Sequence, residues 1–149
     1  MTKYKVRQTE DYRTLEKLYI KHGIEVGNEP VRTENIKNWK VIVEQNGKEI
    51  VIGGITLGRR DIHYVVNGIS IEPEYRKMKI GTDILDRLVK YVEEIGVREL
   101  WLIAKAPGFF GKYGFEEKKM EESPQIFGCF NCDLYQKTCH PKAMVFRFY

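Results

Sequence analysis

The chain has 149 residues, of which 42% are hydrophobic and 31% are charged, and its formal net charge is +4. This length suits one domain with a sizeable core, and no apolar run reaches the roughly 18–20 residues of a membrane span. The basic residues are spread along the chain instead of clustered on one segment, so the charge does not favour nucleic-acid binding. The N-terminus lacks the apolar core of a signal peptide, and we therefore expect a cytoplasmic protein without a membrane partner.

The N-terminal third predicts a strand, a helix and a loop. Residues 4–7 alternate as in a short strand, and Asp11 is a suitable N-cap for a helix with Leu15, Leu18 and Tyr19 at helical spacing. Residues 23–30 are typical of a loop. Thr33 is predicted to cap a brief second helix through Ile36 and Lys37.

Two hairpins are predicted next. Residues 39–44 and 49–57 are apolar, β-branched runs joined by Asn46-Gly47, the strongest short signal for a hairpin. A second hairpin leads into a long strand over residues 62–71. The pair Asn67-Gly68 inside this strand is compatible with a turn or with a bulge where another backbone approaches closely, and we interpret it as a bulge.

Residues 67–96 join this extended segment to the clearest helix of the chain through a basic turn, Tyr75 to Thr82. Gly96 ends the helix. The apolar positions at helical spacing are Ile84, Leu85, Leu88, Val89, Val92 and Ile95. The first turn of a helix carries unpaired N–H groups at the positive end of the helix dipole, so a strand, a basic turn and a helix start together predict a phosphate-binding site.

The rest of the chain continues the alternation of strand and helix. Residues 99–104 form a continuous apolar run typical of a strand buried on both faces, and the strand, helix, strand order implies a right-handed parallel crossover. Pro107 is predicted to open a short helix that Gly114 closes. Further strands are predicted to begin at Phe115 and to span residues 143–149.

Two of these segments carry a family resemblance. Residues 76–81, Arg-Lys-Met-Lys-Ile-Gly, resemble the Arg/Gln-x-x-Gly-x-Gly/Ala signature of the GNAT superfamily, the acetyl-CoA-dependent N-acetyltransferases, and residues 106–115 resemble its Ala-x-x-Phe-Tyr-x-x-x-Gly-Phe segment. Lys79 stands where the family usually has its first glycine; if that position needs a positive φ, lysine costs on the order of 1 kcal/mol. Phe109-Phe110 and residues 139–144 are more weakly similar to short N-acetylglutamate synthases and related amino-acid acetyltransferases.

The resemblance implies one α+β domain over residues 1–149, with a mixed, mostly antiparallel sheet of about six or seven strands, a splayed parallel pair and about four flanking helices. It implies acetyl-CoA as cosubstrate, with the pantetheine arm between the parallel strands and the pyrophosphate on the turn. The expected cofactor-binding residues are Ile69, Ser70, Ile71, Arg76, Lys77, Met78, Lys79, Ile80, Gly81, Thr82, Phe109 and Phe110. The implied reaction is acetyl transfer to a primary amine of a small molecule, such as an amino acid, or of a protein, by direct attack in a ternary complex. The region between the first two helices would line the acceptor pocket.

Acetyl transfer needs donors for the developing oxyanion, expected here from the backbone at residues 69–71, and a way to protonate the departing thiolate. Phe110 takes the place of the tyrosine that many family members use as the acid. Tyr113, about one helical turn further along, is a candidate acid. A packing role for Tyr113 is the alternative, and a thiolate is a tolerable leaving group without an acid.

Candidate bases are carboxylates and one histidine. Glu72 lies at the strand end beside the basic turn, and the alternative is an exposed acid in front of Pro73. Glu74, Glu25 and His63 are further candidates; a histidine suits proton transfer near neutral pH, whereas Glu25 in the acceptor loop could instead hold a cationic substrate.

All three cysteines lie in one stretch. Cys129, Cys132, Cys139 and His140 together supply the ligand set of a Cys3His zinc site. Ligation by the adjacent Cys139 and His140 is sterically demanding, so reduced thiols, a disulfide or a catalytic thiol remain alternatives. The insertion over residues 120–142 is expected to fold over the acceptor side of the sheet.

A second interpretation is a non-catalytic domain of the same fold that binds CoA or senses metal or redox state, with Lys79 and Phe110 as its evidence. A zinc module contacting nucleic acid is a third interpretation. It would require the cysteine segment to organise the fold, whereas the regular structure precedes that segment. The acceptor amine and the oligomeric state, a homodimer included, are left open.

Overall fold

The computed structural model describes residues 3–24, 31–104, 106–127 and 142–148. The strands are β1 Tyr4–Thr9, β2 Thr33–Gln45, β3 Lys48–Arg60, β4 His63–Ile71, β5 Glu99–Ala104, β6 Glu116–Lys118 and β7 Lys142–Arg147. The α-helices are α1 Tyr12–Lys21, α2 Ile80–Glu94 and α3 Pro107–Tyr113, and two 3-10 helices span Pro73–Met78 and Met120–Glu122. The strands form one seven-stranded sheet in the order β1-β2-β3-β4-β5-β7-β6. Only β4 and β5 pair in parallel among these strands, which confirms the mixed, mostly antiparallel sheet.

Helices cover both faces of the sheet. The side chains of α2 that are buried against one face are Ile80, Ile84, Leu85, Leu88, Val89 and Val92. They share a core with Ile55 of β3 and Leu100 of β5. On the opposite face, α1 places Leu15 against Gly54, the neighbour of Ile55 in β3. Each fully buried aliphatic side chain stabilises the fold by roughly 1.5–3 kcal/mol, so the apolar stripe of α2 is a large part of what holds the helix on the sheet.

Two turn predictions are confirmed by the backbone. Asn46 and Gly47 have φ values of 52° and 77° and connect β2 to β3, as expected of a tight hairpin. Thr56 and Leu57 of β3 are consecutive, but they pair with Gly68 and Val66 of β4. Asn67 is therefore an extra residue of β4 opposite β3. It is the bulge that the sequence indicated.

The second helix predicted from Thr33 is wrong. Thr33 to Lys37 are the first residues of β2, and Thr33 pairs with Arg60 at the far end of β3. The pairing skips Ile36, so the strand is irregular at the point where the sequence suggested a helical turn. The pairing partners in β3 are remote in sequence, from Leu57 for Lys37 to Arg60 for Thr33, and their hydrogen bonds override a weak local preference.

The other elements follow the predictions closely. Asp11 caps α1 through its side chain, and α2 ends before Gly96, which has a φ of 78°. β5 and α3 begin and end where the sequence indicated. No helix in the described part of the chain is both long and apolar enough to cross a membrane.

Candidate functional site

The two parallel strands pair at one end only, and we call the unpaired stretch between the rest of β4 and β5 the interstrand gap. The parallel pairing consists of Tyr64 with Leu100 and Val65 with Trp101. β4 then continues to Ile71 and β5 to Ala104 without further pairing between them among the described residues. The bulge at Asn67 lies two residues beyond the last pair, so the parallel pairing stops next to an irregularity of β4. The unpaired edge of β4 beyond that point can receive an extended ligand as an added strand.

The end of β4 beyond its parallel pairing is followed by the first 3-10 helix and then by the start of α2. Lys79 has φ 59° and ψ 23°, a left-handed conformation, and joins the first 3-10 helix to Ile80, where α2 begins. None of the described side chains caps this helix start. The first N–H groups of α2 therefore point out of the helix without an internal partner and favour an anion. Position 79 does have a positive φ, and lysine adopts it at a cost of about 1 kcal/mol relative to glycine.

The acidic residue in the first turn of α2 is held by two neighbours. The Asp83 carboxylate accepts a hydrogen bond from the Tyr4 hydroxyl at 2.8 Å and one from Arg87 Nε at 2.9 Å. The hydrogen bond to Asp83 raises the pKa of Tyr4. The Arg87 guanidinium offsets the negative charge of this carboxylate close to the helix start.

The predicted cofactor-binding residues of the turn differ in their contacts. Arg76 Nε donates to the Ile71 carbonyl at 2.9 Å, which ties the turn to the end of β4. Met78 packs against the core. The exposed residues of the turn are Arg76, Lys77, Lys79 and Thr82. On β4, Ser70 and Ile71 are buried and Ile69 is half-buried beside the gap.

α3 brings one of its two adjacent phenylalanines to the same turn. A Cβ at Gly81 would lie 3.3 Å from the Phe109 ring, so Phe109 contacts the start of α2. Phe110 is buried and stacks edge-on against Phe109 at 5.0 Å and Phe115 at 5.7 Å. Of the two predicted contacts with the cofactor, Phe109 lies at the turn and Phe110 lies deeper in the core.

Glu72 is part of a charged cluster that the sequence did not reveal. Its carboxylate lies 2.6 Å from His22 Nε2 and 2.9 Å from Lys21 Nζ, at the end of α1. The side chains of His22 and Glu72 are only 15% and 19% exposed. The hydrogen bond with His22, followed by that with Lys21, lowers the pKa of Glu72. Nothing in the local sequence links His22 to Glu72, because fifty residues separate them.

The Tyr113 hydroxyl is engaged with α2. It donates to Asp86 Oδ1 at 3.1 Å, and its ring packs 6.1 Å from Phe115 and 5.8 Å from Phe146. Burial, together with the hydrogen bond to Asp86, raises the pKa of Tyr113. These contacts favour the packing interpretation of Tyr113 over a role as the acid.

The remaining candidate residues do not join Glu72. His63 begins β4, at the opposite end of the strand from Glu72, and lines a cavity of about 400 Å³ together with Glu99, Trp101, Lys118, Glu122, Ser123, Pro124 and Arg147. Glu74 is exposed on the first 3-10 helix. Glu25 lies outside the described residues.

The predicted zinc ligands, Cys129, Cys132, Cys139 and His140, also lie outside the described residues. Within the ranges that the structure describes, no three His, Cys, Asp or Glu side chains are grouped as metal ligands would be. The described start of the insertion packs on the same face of the sheet as α1, with Ile126 and Phe127 against Val65 and Trp101.

Comparison with known proteins identifies the family that combines this gap with this turn. The model of the acetyltransferase (GNAT) domain matches residues 37–117, more than half of the chain, and contains β3, β4, the turn, α2, β5 and α3. The chain therefore belongs to the GNAT acetyltransferase family. The resemblance stated from residues 76–81 and 106–115 is confirmed.

One curated relative and two solved structures illustrate the relationship. An uncharacterized N-acetyltransferase of Chlorobaculum tepidum is 28% identical over 82 residues, which are 54% of this chain and 52% of the relative. The chain thus matches about half the length of that relative. A GNAT-family acetyltransferase of Staphylococcus aureus Mu50 has a TM-score of 0.72 at 17% identity, covering 99% of this chain and 100% of the other. N-acetylglutamate synthase of Neisseria gonorrhoeae, solved with coenzyme A and N-acetyl-glutamate, has a TM-score of 0.65 at 16% identity, covering all of this chain and 36% of that one.

Proposed function

We propose that this chain transfers an acetyl group from acetyl-CoA to a primary amine. The observation that carries the proposal is the junction of the interstrand gap with the uncapped start of α2 through the left-handed residue Lys79. An extended pantetheine arm suits the unpaired edge of β4, and a pyrophosphate suits the free N–H groups of Ile80 and Gly81. Exposed Lys77 and Lys79 add positive charge beside them.

The residues proposed to hold acetyl-CoA are those expected from the sequence, except that Phe110 is given an indirect role. Ile69, Ser70 and Ile71 would face the pantetheine arm, and the turn from Arg76 to Thr82 would face the phosphates. Phe109 contacts Gly81 and would cover one side of the cofactor, whereas Phe110 would act by supporting Phe109 from the core.

In the reaction, the amine nitrogen forms a bond with the acetyl carbonyl carbon, and the carbon–sulfur bond breaks with its electron pair going to sulfur. The amine proton is released, and the products are an N-acetyl amine and CoA thiol. Backbone N–H groups of residues 69–71 are the proposed donors to the carbonyl oxygen. Phe110 carries no hydroxyl, and the Tyr113 hydroxyl is bonded to Asp86, so the thiolate would leave without a tyrosine acid.

The proposed proton acceptor is Glu72 acting with His22. Glu72 follows β4 on the face that carries α1, and its lowered pKa keeps the carboxylate ionised at neutral pH. A carboxylate with a low pKa is a weak base by itself. A hydrogen-bonded imidazole is the side chain most often used for proton transfer near neutral pH, so the pair is a better acceptor than the carboxylate alone.

The acceptor class is a finer proposal. An amino acid is one candidate because of the weak sequence likeness to amino-acid acetyltransferases and the shared fold with an N-acetylglutamate synthase. A protein amine is the other. Zinc binding by Cys129, Cys132, Cys139 and His140, a homodimer and a cytoplasmic location stay predictions, and metal analysis of protein purified without added zinc tests the first of them.

A second candidate function is CoA binding without turnover. The hydrogen bond between Tyr113 and Asp86 favours it, since the nearest tyrosine to the family's acid position is already engaged. The two functions make different predictions in the same assay.

The test uses acetyl-CoA labelled with carbon-14 and a panel of acceptors that contains the proteinogenic amino acids, spermidine and a lysine-containing peptide. Acetyl-CoA binding is measured in parallel by calorimetry. Binding together with label in one acceptor product supports the transferase. Binding with no labelled product from any acceptor favours the domain without turnover, and a lack of acetyl-CoA binding contradicts both functions.

A further inference from the structure

Arg60 is a buried arginine at the end of β3, on the face of the sheet that carries α1. The residue is only 7% exposed, and it belongs to none of the residue sets that the family resemblance indicated. A guanidinium has five N–H donors in one plane, and burying it is costly unless those donors are paired. Its hydrogen-bond partners therefore show what the buried charge is used for.

The guanidinium joins three segments of the chain. Nε donates to Thr33 Oγ1 at 2.8 Å, Nη1 donates to the Ile126 carbonyl at 3.0 Å, and Nη2 donates to Asn67 Oδ1 at 2.6 Å. The Phe127 ring centroid lies 5.7 Å from the guanidinium carbon, so the same group also contacts an aromatic face.

The contact with Asn67 falls on the bulge of β4. Asn67 is the residue without a partner on β3, and it lies two residues beyond Val65, the last residue of β4 paired with β5. Asn67 Nδ2 also donates to the Tyr12 hydroxyl at 3.4 Å, at the start of α1. The side chain of the bulge residue is thus hydrogen-bonded to β3 through Arg60 and to α1 through Tyr12, next to the point where the parallel pairing stops.

The other two contacts reach the segments that border this face. Thr33 is the first residue of β2, and Ile126 belongs to the described start of the insertion. Arg60 therefore fixes both segments relative to the bulge with a single planar group.

We propose that Arg60 is a positioning residue for acetyl transfer: by holding Asn67, Thr33 and the Ile126 carbonyl in one plane, it sets the geometry of the β4 bulge and of the chain segments around the acetyl group. The inference rests on the proposed function. The backbone N–H groups that would contact the acetyl oxygen follow directly after the bulge, and their direction depends on its shape. Arg60 pairs with His63 at the first residue of β4, whereas the turn at Lys79 follows the last residue of that strand. Arg60 therefore acts on the reacting end of the cofactor and not on phosphate binding.

The test compares Arg60→Met with Arg59→Met. Methionine keeps an unbranched apolar stem of similar reach but removes every donor. Arg59 is the adjacent residue, is exposed, and pairs with Glu34 at 2.8 Å on the outside of the same hairpin, which makes it the matched control. Asn67→Ala is the second variant, in case Arg60→Met does not fold. It removes the hydrogen bonds of the bulge residue with Arg60 and with Tyr12, and it keeps the buried guanidinium with its partners Thr33 and Ile126.

Three quantities are measured: the Kd for CoA, kcat and KM with an acceptor from the panel, and amide hydrogen exchange in residues 61–71 and 120–127. We expect kcat to fall on the order of 100-fold in Arg60→Met with the CoA Kd within about twofold of wild type, because small displacements at the reacting centre cost this much. We expect exchange in both segments to be about tenfold faster, and exchange at the start of α2 to be unchanged. Asn67→Ala should also lower kcat and make amide exchange in residues 61–71 faster.

The inference is overturned if Arg60→Met and Asn67→Ala have the same kcat and the same amide exchange as Arg59→Met. An equal loss of CoA affinity and kcat would also overturn it, since a general loss of structure predicts that result. If the wild-type chain acetylates no amine, the proposed function has failed. The exchange data then decide separately whether Arg60 holds the bulge.

Discussion

Tyr19 lies with its ring on Gly68, so close that a Cβ at position 68 would come within 2.6 Å of two ring carbons. The Tyr19 side chain is fully buried, and its hydroxyl is 2.8 Å from Thr56 Oγ1. The ring therefore cannot move aside without losing a buried hydrogen bond. This contact sets α1 directly against β4, one residue after the bulge at Asn67.

Gly68→Ala is expected to destabilise the fold by about 1–3 kcal/mol, the usual cost of overpacking a well-filled core. Urea unfolding measures the change. Gly111→Ala is the matched control, because no atom outside its own helix lies near a Cβ at Gly111 and the residue lies inside α3. Alanine there should stabilise the fold by roughly 0.5–1 kcal/mol. Equal stability of the two variants would show that the Tyr19 contact is not restrictive.

Lys79→Gly is expected to stabilise the fold and weaken CoA binding. Relief of the left-handed strain outweighs the extra entropy of glycine in the unfolded chain by about 0.5 kcal/mol. Loss of the ammonium beside the proposed phosphate site should raise the CoA Kd about threefold. Asp61→Gly is the control, since Asp61 has a φ of 57° in the β3–β4 turn. Aspartate tolerates the left-handed conformation better than lysine, so Asp61→Gly should gain less stability than Lys79→Gly, and it should leave the CoA Kd unchanged. Tighter CoA binding by Lys79→Gly would contradict the role given to the ammonium.

Tyr113→Phe is expected to leave kcat within about twofold of wild type, because the hydroxyl donates to Asp86 and is not available as an acid. The loss of this hydrogen bond should cost on the order of 1 kcal/mol of stability. Steady-state kinetics and thermal unfolding measure the two effects. A fall in kcat of about 100-fold or more with unchanged substrate binding would identify Tyr113 as the acid after all.

Glu72 is expected to make the stability depend on pH on the acidic side. Its pKa is lower in the folded chain than its usual value of 4.5, so the unfolded chain takes up a proton first as the pH falls. The stabilisation is therefore fully present above about pH 4.5 and is lost as the pH falls through the pKa of the folded state. Glu72→Gln removes this contribution, so wild type and variant should differ at pH 6 and converge towards pH 3.

Urea unfolding between pH 6 and pH 3 measures this difference. Glu44→Gln, at an exposed position of β2, serves as the control and should stay close to wild type throughout. Parallel curves for wild type and Glu72→Gln over the whole range would contradict the pairing of Glu72 with His22 and Lys21.

Local signals in the sequence were sufficient for most of the fold. Asn46-Gly47 specifies its hairpin through positive φ values, and Gly96 and Gly114 end their helices for the same reason. The bulge at Asn67 was predicted because a glycine inside an apolar strand usually marks an irregularity or a close contact. The bulge is confirmed, since Asn67 is the extra residue, but the close approach at Gly68 comes from the side chain of Tyr19 and not from another backbone.

The errors and omissions concern contacts between distant segments. Thr33 resembles a helix cap locally but pairs with Arg60, and only the long hairpin brings them together. His22 meets Glu72 because α1 ends beside the end of β4, a relationship that no periodicity records. The sequence places Arg60 in the turn of a hairpin. In the fold Arg60 is buried and bonded to Thr33 and Ile126, which lie far apart along the chain.

The central claim is that acetyl-CoA occupies the interstrand gap with its pyrophosphate at the start of α2, and titration of the 15N-labelled chain with CoA tests it most directly. We predict saturable changes in the amide resonances of Ile69 to Ile71 and of Lys79 to Thr82, with smaller changes at Phe109. Resonances of β1 and β2 should stay in place. Changes confined to other parts of the chain, or none at millimolar CoA, would contradict the claim.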